Sequence, residues 1–184
     1  MKISKTFTLI ELILVVAIVA ILAAAMIPHM QGVQEDAKVA KLLQLADTLK
    51  GACELYHSDT GTYAIESSPA PPTNALAHGL AMDDGKAGWD GPYIDHHISW
   101  DDSPYNFVII VGLLQPPIHF DLDGDGTDDR TTGNNLQIRS VPDSAAKKIN
   151  DKLDSHLGDS DWENTGRVEH MGSNIVNIYL IGRE

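Results

Sequence analysis

Residues 5–28 read KTFTLIELILVVAIVAILAAAMIP. From Phe7 to position 27 the stretch is 21 residues long and apolar, with Glu11 its one charge. As a helix it would be about 31 Å long, the thickness of a bilayer core. Lys2 and Lys5 precede it, which favours a cytoplasmic N-terminus with the rest of the chain sent across. The pattern fits a cleaved signal peptide ending at Ala23, Ala24 and Ala25, a plain membrane anchor, or a helix that bundles with copies of itself. Glu11 separates the three. A carboxylate in an apolar span costs roughly 2–3 kcal/mol on insertion. A signal or an anchor gains nothing from it. In a bundle of copies it would be buried, and a buried carboxylate must find a cation or take up a proton. A free amine on an adjacent chain is the nearest candidate, which makes Glu11 a register device.

Working outward, the helical pattern continues past Pro28. Val33, Ala37, Ala40, Leu45, Leu49, Ala52, Cys53 and Tyr56 recur at spacings near three and four, with polar residues between them. This predicts one helix from about residue 8 to 58. Its first half is bare and its second half is amphipathic and packed on a domain. Pro28 removes one backbone hydrogen bond and predicts a kink or a local melt. Gly61 is a natural stop.

The stretch from Lys5 to Pro28 resembles the N-terminal signature of type IV pilins and type II secretion pseudopilins. The resemblance implies a basic leader, residues 1–6, removed by a prepilin peptidase before Phe7, whose new amine is then methylated. It also implies that Glu11, four residues on, neutralises the amine of a neighbouring subunit. Pro28 stands 21 residues after Phe7, as in the family. One departure is Thr6, where the family has Gly before the cut. The implied partners are copies of the chain, an inner-membrane assembly platform, the peptidase, and lipid before assembly. The implied location is a single-pass inner-membrane protein with a periplasmic or extracellular head.

The expected fold is α+β: a long N-terminal helix packed on a small antiparallel β-sheet head, lollipop-like. The divisions are a leader at 1–6, a membrane and filament-core helix at 7–28, its amphipathic half at 29–61, and a head at 62–184. Residues 64–88 read as a surface loop with one short helix near 74–81. Trp89, Gly91, Pro92, Tyr93, Trp100, Pro104 and Tyr105 resemble a turn segment of the major pseudopilin head. Strands are expected at 105–111, 118–122, 135–141 and 174–181. Asp143 or Ser144 would cap a helix with Ala146, Ile149, Leu153 and Leu157 on one face, ended by Gly158. Residues 157–168 read as a polar turn, and the tail from about Ser140 as an exposed patch that tunes filament contacts.

The strongest chemical motif is Asp121-Leu122-Asp123-Gly124-Asp125-Gly126-Thr127-Asp128-Asp129. Alternating carboxylates before a sharp glycine turn open a calcium-loop pattern. Asp121, Asp123, Asp125, the Thr127 carbonyl and Asp129 are the candidate ligands, in a loop of 121–132. Thr132 stands where an EF-hand has its closing Glu, so the loop is calcium-like and not an EF-hand. The other reading is an acidic turn without metal. Hard oxygen donors suit calcium better than zinc, and the resemblance implies a structural calcium.

The totals narrow the rest. The 184 residues carry 26 acidic and 13 basic side chains, a formal charge of −13. Such a chain repels nucleic acid. Cys53, alone, can form no intramolecular disulfide and reads as a small core residue. His96 and His97 are adjacent and match no metal-ligand spacing. No nucleophile-elbow, Walker or dinucleotide motif is present, and no catalytic site is expected. The expected function is a structural subunit of a type IV-type filament, of a pseudopilus or a pilus. A membrane-anchored calcium-binding module is the alternative from another class.

Overall fold

The computed structural model describes residues 8–183 except 69, 72, 106–108, 115–117, 119, 158–160 and 173; the side chains of 26–31 and 183 also lie outside the description. It divides into two compact units, 1–37 and 38–184.

Helix α1 runs Leu9–Thr60 as 52 residues without interruption, so position 28 does not melt it. A proline inside a helix removes one backbone donor, and the helix continues on both sides of it. In the first unit every described side chain from Leu9 to Leu22 is exposed. Among the large apolar ones, exposure runs from 49% at Ile18 to 78% at Leu9. Over the described residues alone, no helix is long and apolar enough to cross a membrane. The sequence itself carries the apolar run on through Met26 and Ile27.

In the second unit, α1 buries Val39, Leu42, Ala46, Leu49, Ala52, Cys53 and Tyr56. These spacings of three and four are one helical stripe. The lower part matches the expected face; the upper part does not. Val33 is 68% exposed, Ala37 and Ala40 are exposed, and Leu45 is only half-buried. Counting back from Leu49 in steps of three and four leads to Val39, and the flanking apolar residues fall on other faces.

Five strands form one antiparallel sheet in the order β1-β2-β3-β5-β4. They are β1 Glu66–Ser67, β2 Ile109–Leu113, β3 Thr132–Arg139, β4 Val168–Met171 and β5 Ile175–Arg183. The register sets Val111 against Leu136, Leu136 against Ile178, and Ile178 against Val168. Ile109, Ile138 and Val176 form the next row. All seven are fully buried in one core with the α1 stripe. Fully burying such a side chain contributes about 1.5–3 kcal/mol. Strand alternation puts Asn135, Gln137 and Asn177 on the opposite face, where Asn177 Oδ1 accepts from both other amides.

Several expectations are corrected. The second strand begins at Ile109, Tyr105 lies in a turn, and 106–108 are outside the described residues. The described residues of 118–122 form no strand and supply isolated bridges, Phe120 with Arg130 and Asp121 with Thr165, while the Phe120 ring packs on Tyr179 at 5.5 Å. The short helix of the loop is a single 3₁₀ turn, Ala75–Ala77. Helix α2 spans Asp143–Leu153 with Pro142 in the cap position and no side-chain cap. Leu157 lies beyond it, and Gly158 is outside the described residues.

The tail from Ser140 is not an exposed patch. Val141, Ala145, Ala146, Ile149, Val168, Val176 and Ile178 have no exposed area. The stretch 157–168 is not only a turn, since Val168 opens β4. The reason is Asp154. Its Oδ2 accepts the N–H groups of Arg167 and Val168 at 2.9 and 3.1 Å, tying the end of α2 to β4. Burial pushes this carboxyl upward, and the two hydrogen bonds pull it back. Gly166 has φ +91, and a Cβ there would lie 2.5 Å from Asp154 Cγ.

Candidate functional site

The helix start and the acidic loop are separate sites. At the first, Thr8 and Glu11 hold each other. Glu11 Oε2 accepts from the Thr8 backbone N–H at 2.9 Å and from its hydroxyl at 2.8 Å. The Glu11 N–H donates to Thr8 Oγ1 at 3.3 Å. This is a capping box, Thr-x-x-Glu, which satisfies backbone groups that the first helical turn leaves open. Glu11 therefore has a local task in a single chain. Sequence reading that weighed Glu11 only as a charge in an apolar span missed this, although the Thr8-x-x-Glu11 spacing signals it. Thr6 and Phe7 lie outside the described residues, as does the side chain of Pro28.

The acidic loop curls around Asp121. Asp121 is 6% exposed, and its Oδ1 accepts the N–H of Gly124 at 2.8 Å and of Asp125 at 3.2 Å. Its Oδ2 accepts the Gly126 N–H at 2.8 Å. Gly124 and Gly126, with φ +76 and +88, supply left-handed turns that L side chains rarely adopt. Asp129 Oδ2 takes the Leu122 N–H at 2.8 Å and closes the loop. One carboxylate oxygen each from Asp121, Asp123 and Asp129 lies within 4.8 Å of the others.

The five candidate ligands are thus divided. Asp121, Asp123 and Asp129 converge. Asp125 lies outside this cluster, with its Oδ1 accepting the Thr127 N–H at 2.8 Å and the Thr127 hydroxyl; these bonds use the donors of Thr127 and not its carbonyl, the expected ligand atom. Those two bonds hold the Asp125 carboxyl below the usual range. An ionised carboxylate has about four acceptor positions. The three converging groups keep acceptor capacity beyond the backbone bonds, so the donor set fits a hard divalent cation.

Beside them lies an open pocket of about 560 Å³, walled by Asp121, Asp123 and Asp128 and, across it, by Asp161, Asn164 and Glu169. The second wall comes from chain about 40 residues on. It is placed by the Gly166 N–H bond to the Asp121 carbonyl at 2.7 Å and by the bridge of Asp121 with Thr165. No local pattern marks those residues in the sequence. Residues 38–184 carry 23 acidic against 11 basic side chains, so this wall adds to an already negative unit.

No family model matches the chain, and no solved structure matches it. Three relatives do. A fimbrial protein, EcpC, of Eikenella corrodens is 38% identical over 69 residues, 38% of this chain and 45% of that protein. The type IV major pilin protein PilE1 of Neisseria gonorrhoeae is 42% identical over 66 residues, 36% of this chain and 30% of that one. A fimbrial protein of Neisseria meningitidis serogroup A is 39% identical over 66 residues, 36% of this chain and 39% of that one. The matches span less than half the length of each of these relatives. Over the third of its length that they match, the chain is similar to type IV pilins and fimbrial proteins, and its long N-terminal helix followed by a small antiparallel sheet fits a pilin-like α+β fold.

Proposed function

We propose that this chain is a structural subunit of a type IV-type filament, held in a membrane before assembly and polymerised through α1. One observation carries the reading. Eleven large apolar side chains between Leu9 and Leu22 are exposed on a helix whose first turn contains Glu11. At about 1.5–3 kcal/mol each, covering them with lipid or with copies of the same helix would contribute roughly 15–30 kcal/mol. A head charged by 23 acids against 11 bases would face outward, where water and salt screen the repulsion between copies.

The relatives named as a type IV major pilin and a fimbrial protein weigh toward a pilus. The acidic loop and the segment from Trp89 to Tyr105, which resemble the pseudopilin head, weigh toward a secretion pseudopilus. The experiment is intact-mass and N-terminal analysis of the protein purified from its host membrane. A chain that begins at methylated Phe7 is the expected result. A chain that begins at Met26 is an ordinary secreted product and removes the filament reading. An uncut Met1 leaves an anchor with no amine at Phe7 to pair with Glu11.

We further propose that Asp121, Asp123 and Asp129 hold a structural calcium that braces the loop. Calcium at a hundred times its dissociation constant then adds about 2.7 kcal/mol to the stability of the head. Thermal unfolding with calcium or with a chelator measures this. Asp123→Asn, at an exposed position, removes the calcium-dependent shift and leaves the chelated Tm nearly unchanged. An equal shift in the variant overturns the assignment.

A further inference from the structure

The connection from α1 to β2 is long. Between residues 61 and 108 the described residues contain only β1 and one 3₁₀ turn as regular structure. A buried polar pair pins it. Glu66 and His78 both have no exposed area, and His78 Nδ1 lies 2.6 Å from Glu66 Oε1. The same oxygen accepts the Ile98 N–H at 3.2 Å, and Oε2 accepts the Leu80 N–H at 3.2 Å. Across the ring, His78 Nε2 faces the carbonyl oxygen of Pro71 at 3.1 Å. Three separate stretches of the connection meet on one carboxylate and one imidazole.

The protons can be counted. A carbonyl oxygen only accepts, so Nε2 carries a hydrogen. Nδ1 then meets a carboxyl oxygen. A hydrogen bond exists there only while one proton sits between them, on an imidazolium or on the carboxyl. Without that proton, lone pair faces lone pair in a fully buried site, and a carboxylate is left without its counter-charge. We propose that the Glu66–His78 pair is a proton-dependent clasp, which fastens the stretches around Glu66, His78 and Ile98 beside the buried stripe of α1 and loosens them as pH rises.

The direction follows from proton binding. An unfolded histidine loses its proton near about pH 6.5. The folded pair keeps one, so above that pH the folded state binds more protons and stability falls as pH rises. Burial pushes the Glu66 carboxyl up, which favours the same proton-holding state, against the lowering effect of the hydrogen bond from His78. Cys53 of α1 is within electrostatic reach of Glu66, but burial pushes its thiol up and keeps it uncharged. The half-buried ring of His97 lies 5.0 Å from that of His78.

Cys53 is also the reporter. It is the one thiol of the chain and has no exposed area. The full chain in detergent micelles is treated with a dipyridyl disulfide from about pH 5 to about pH 9, a range that brackets the value of a free histidine. Each rate is divided by that of the urea-unfolded chain at the same pH. The normalised rate rises about tenfold across the range, the factor one lost buried hydrogen bond amounts to. Glu66→Gln gives a flat profile, because an amide N–H can donate to Nδ1 with no extra proton. His97→Gln keeps the step. A flat profile in the unmodified chain, or a step that persists in Glu66→Gln, overturns the clasp. If Glu66→Gln fails to fold, hydrogen exchange of the Leu80 and Ile98 amides in the unmodified chain decides it. Their protection, corrected for base catalysis, falls over the same pH range, and constant protection overturns the proposal.

Discussion

Replacing His78 with Ala lowers the stability of the head by about 3–5 kcal/mol, the cost of leaving one member of a buried pair without its partner. The variant leaves Glu66 fully buried with the N–H groups of Leu80 and Ile98 but no counter-charge. It also removes the contact to Pro71. A domain's total stability is about 5–15 kcal/mol, so this single change consumes a large share. Urea unfolding of the full chain in detergent measures it as a shift of midpoint at constant slope. The double change Glu66→Leu with His78→Leu is expected to be milder than His78→Ala alone, because no charge is then stranded. A loss below about 1 kcal/mol for His78→Ala would mean that the carboxylate has found water, and that the pair does not pin the connection.

Glu11→Ala abolishes filaments in the host while the chain still reaches the membrane. Two tasks are combined at this position. The capping box with Thr8 fixes the first turn of α1, and such caps contribute about 1 kcal/mol. The proposed pairing with a neighbour's amine needs a negative charge. Glu11→Gln separates the two. Glutamine serves a capping box as well as glutamate does, so the helix start survives, but the charge is gone. If the charge carries assembly, filaments counted by electron microscopy vanish in both variants. Filaments that persist in Glu11→Gln and vanish in Glu11→Ala would assign the residue to capping and end the amine-pairing reading.

The loop shows how far a local pattern reaches. The alternation of Asp121, Asp123 and Asp125 before Gly126 indicated a tight acidic turn, and the turn is there. The pattern could not say that Asp125 would turn away to Thr127. That depends on which hydrogen bonds the backbone has left to offer, after Asp121 has taken three of them.

What the sequence determined by itself were features set by neighbours a few residues apart. The length of α1, its bare first half, the turn glycines of the acidic loop, and the final strand all follow from helical or alternate spacing and from local backbone preference. What only the tertiary structure decided were features that need distant chain to meet. These are the face of α1 that is buried above Leu49, strand β4 and its tie to Asp154, the second wall of the acidic pocket, and the joining of Glu66 to His78 and to Ile98, 12 and 32 residues away. The physical reason is that burial gives a polar residue its role. A glutamate or an asparagine reads as surface until the fold removes water from it, and which residues lose their water is settled by packing and not by the local pattern.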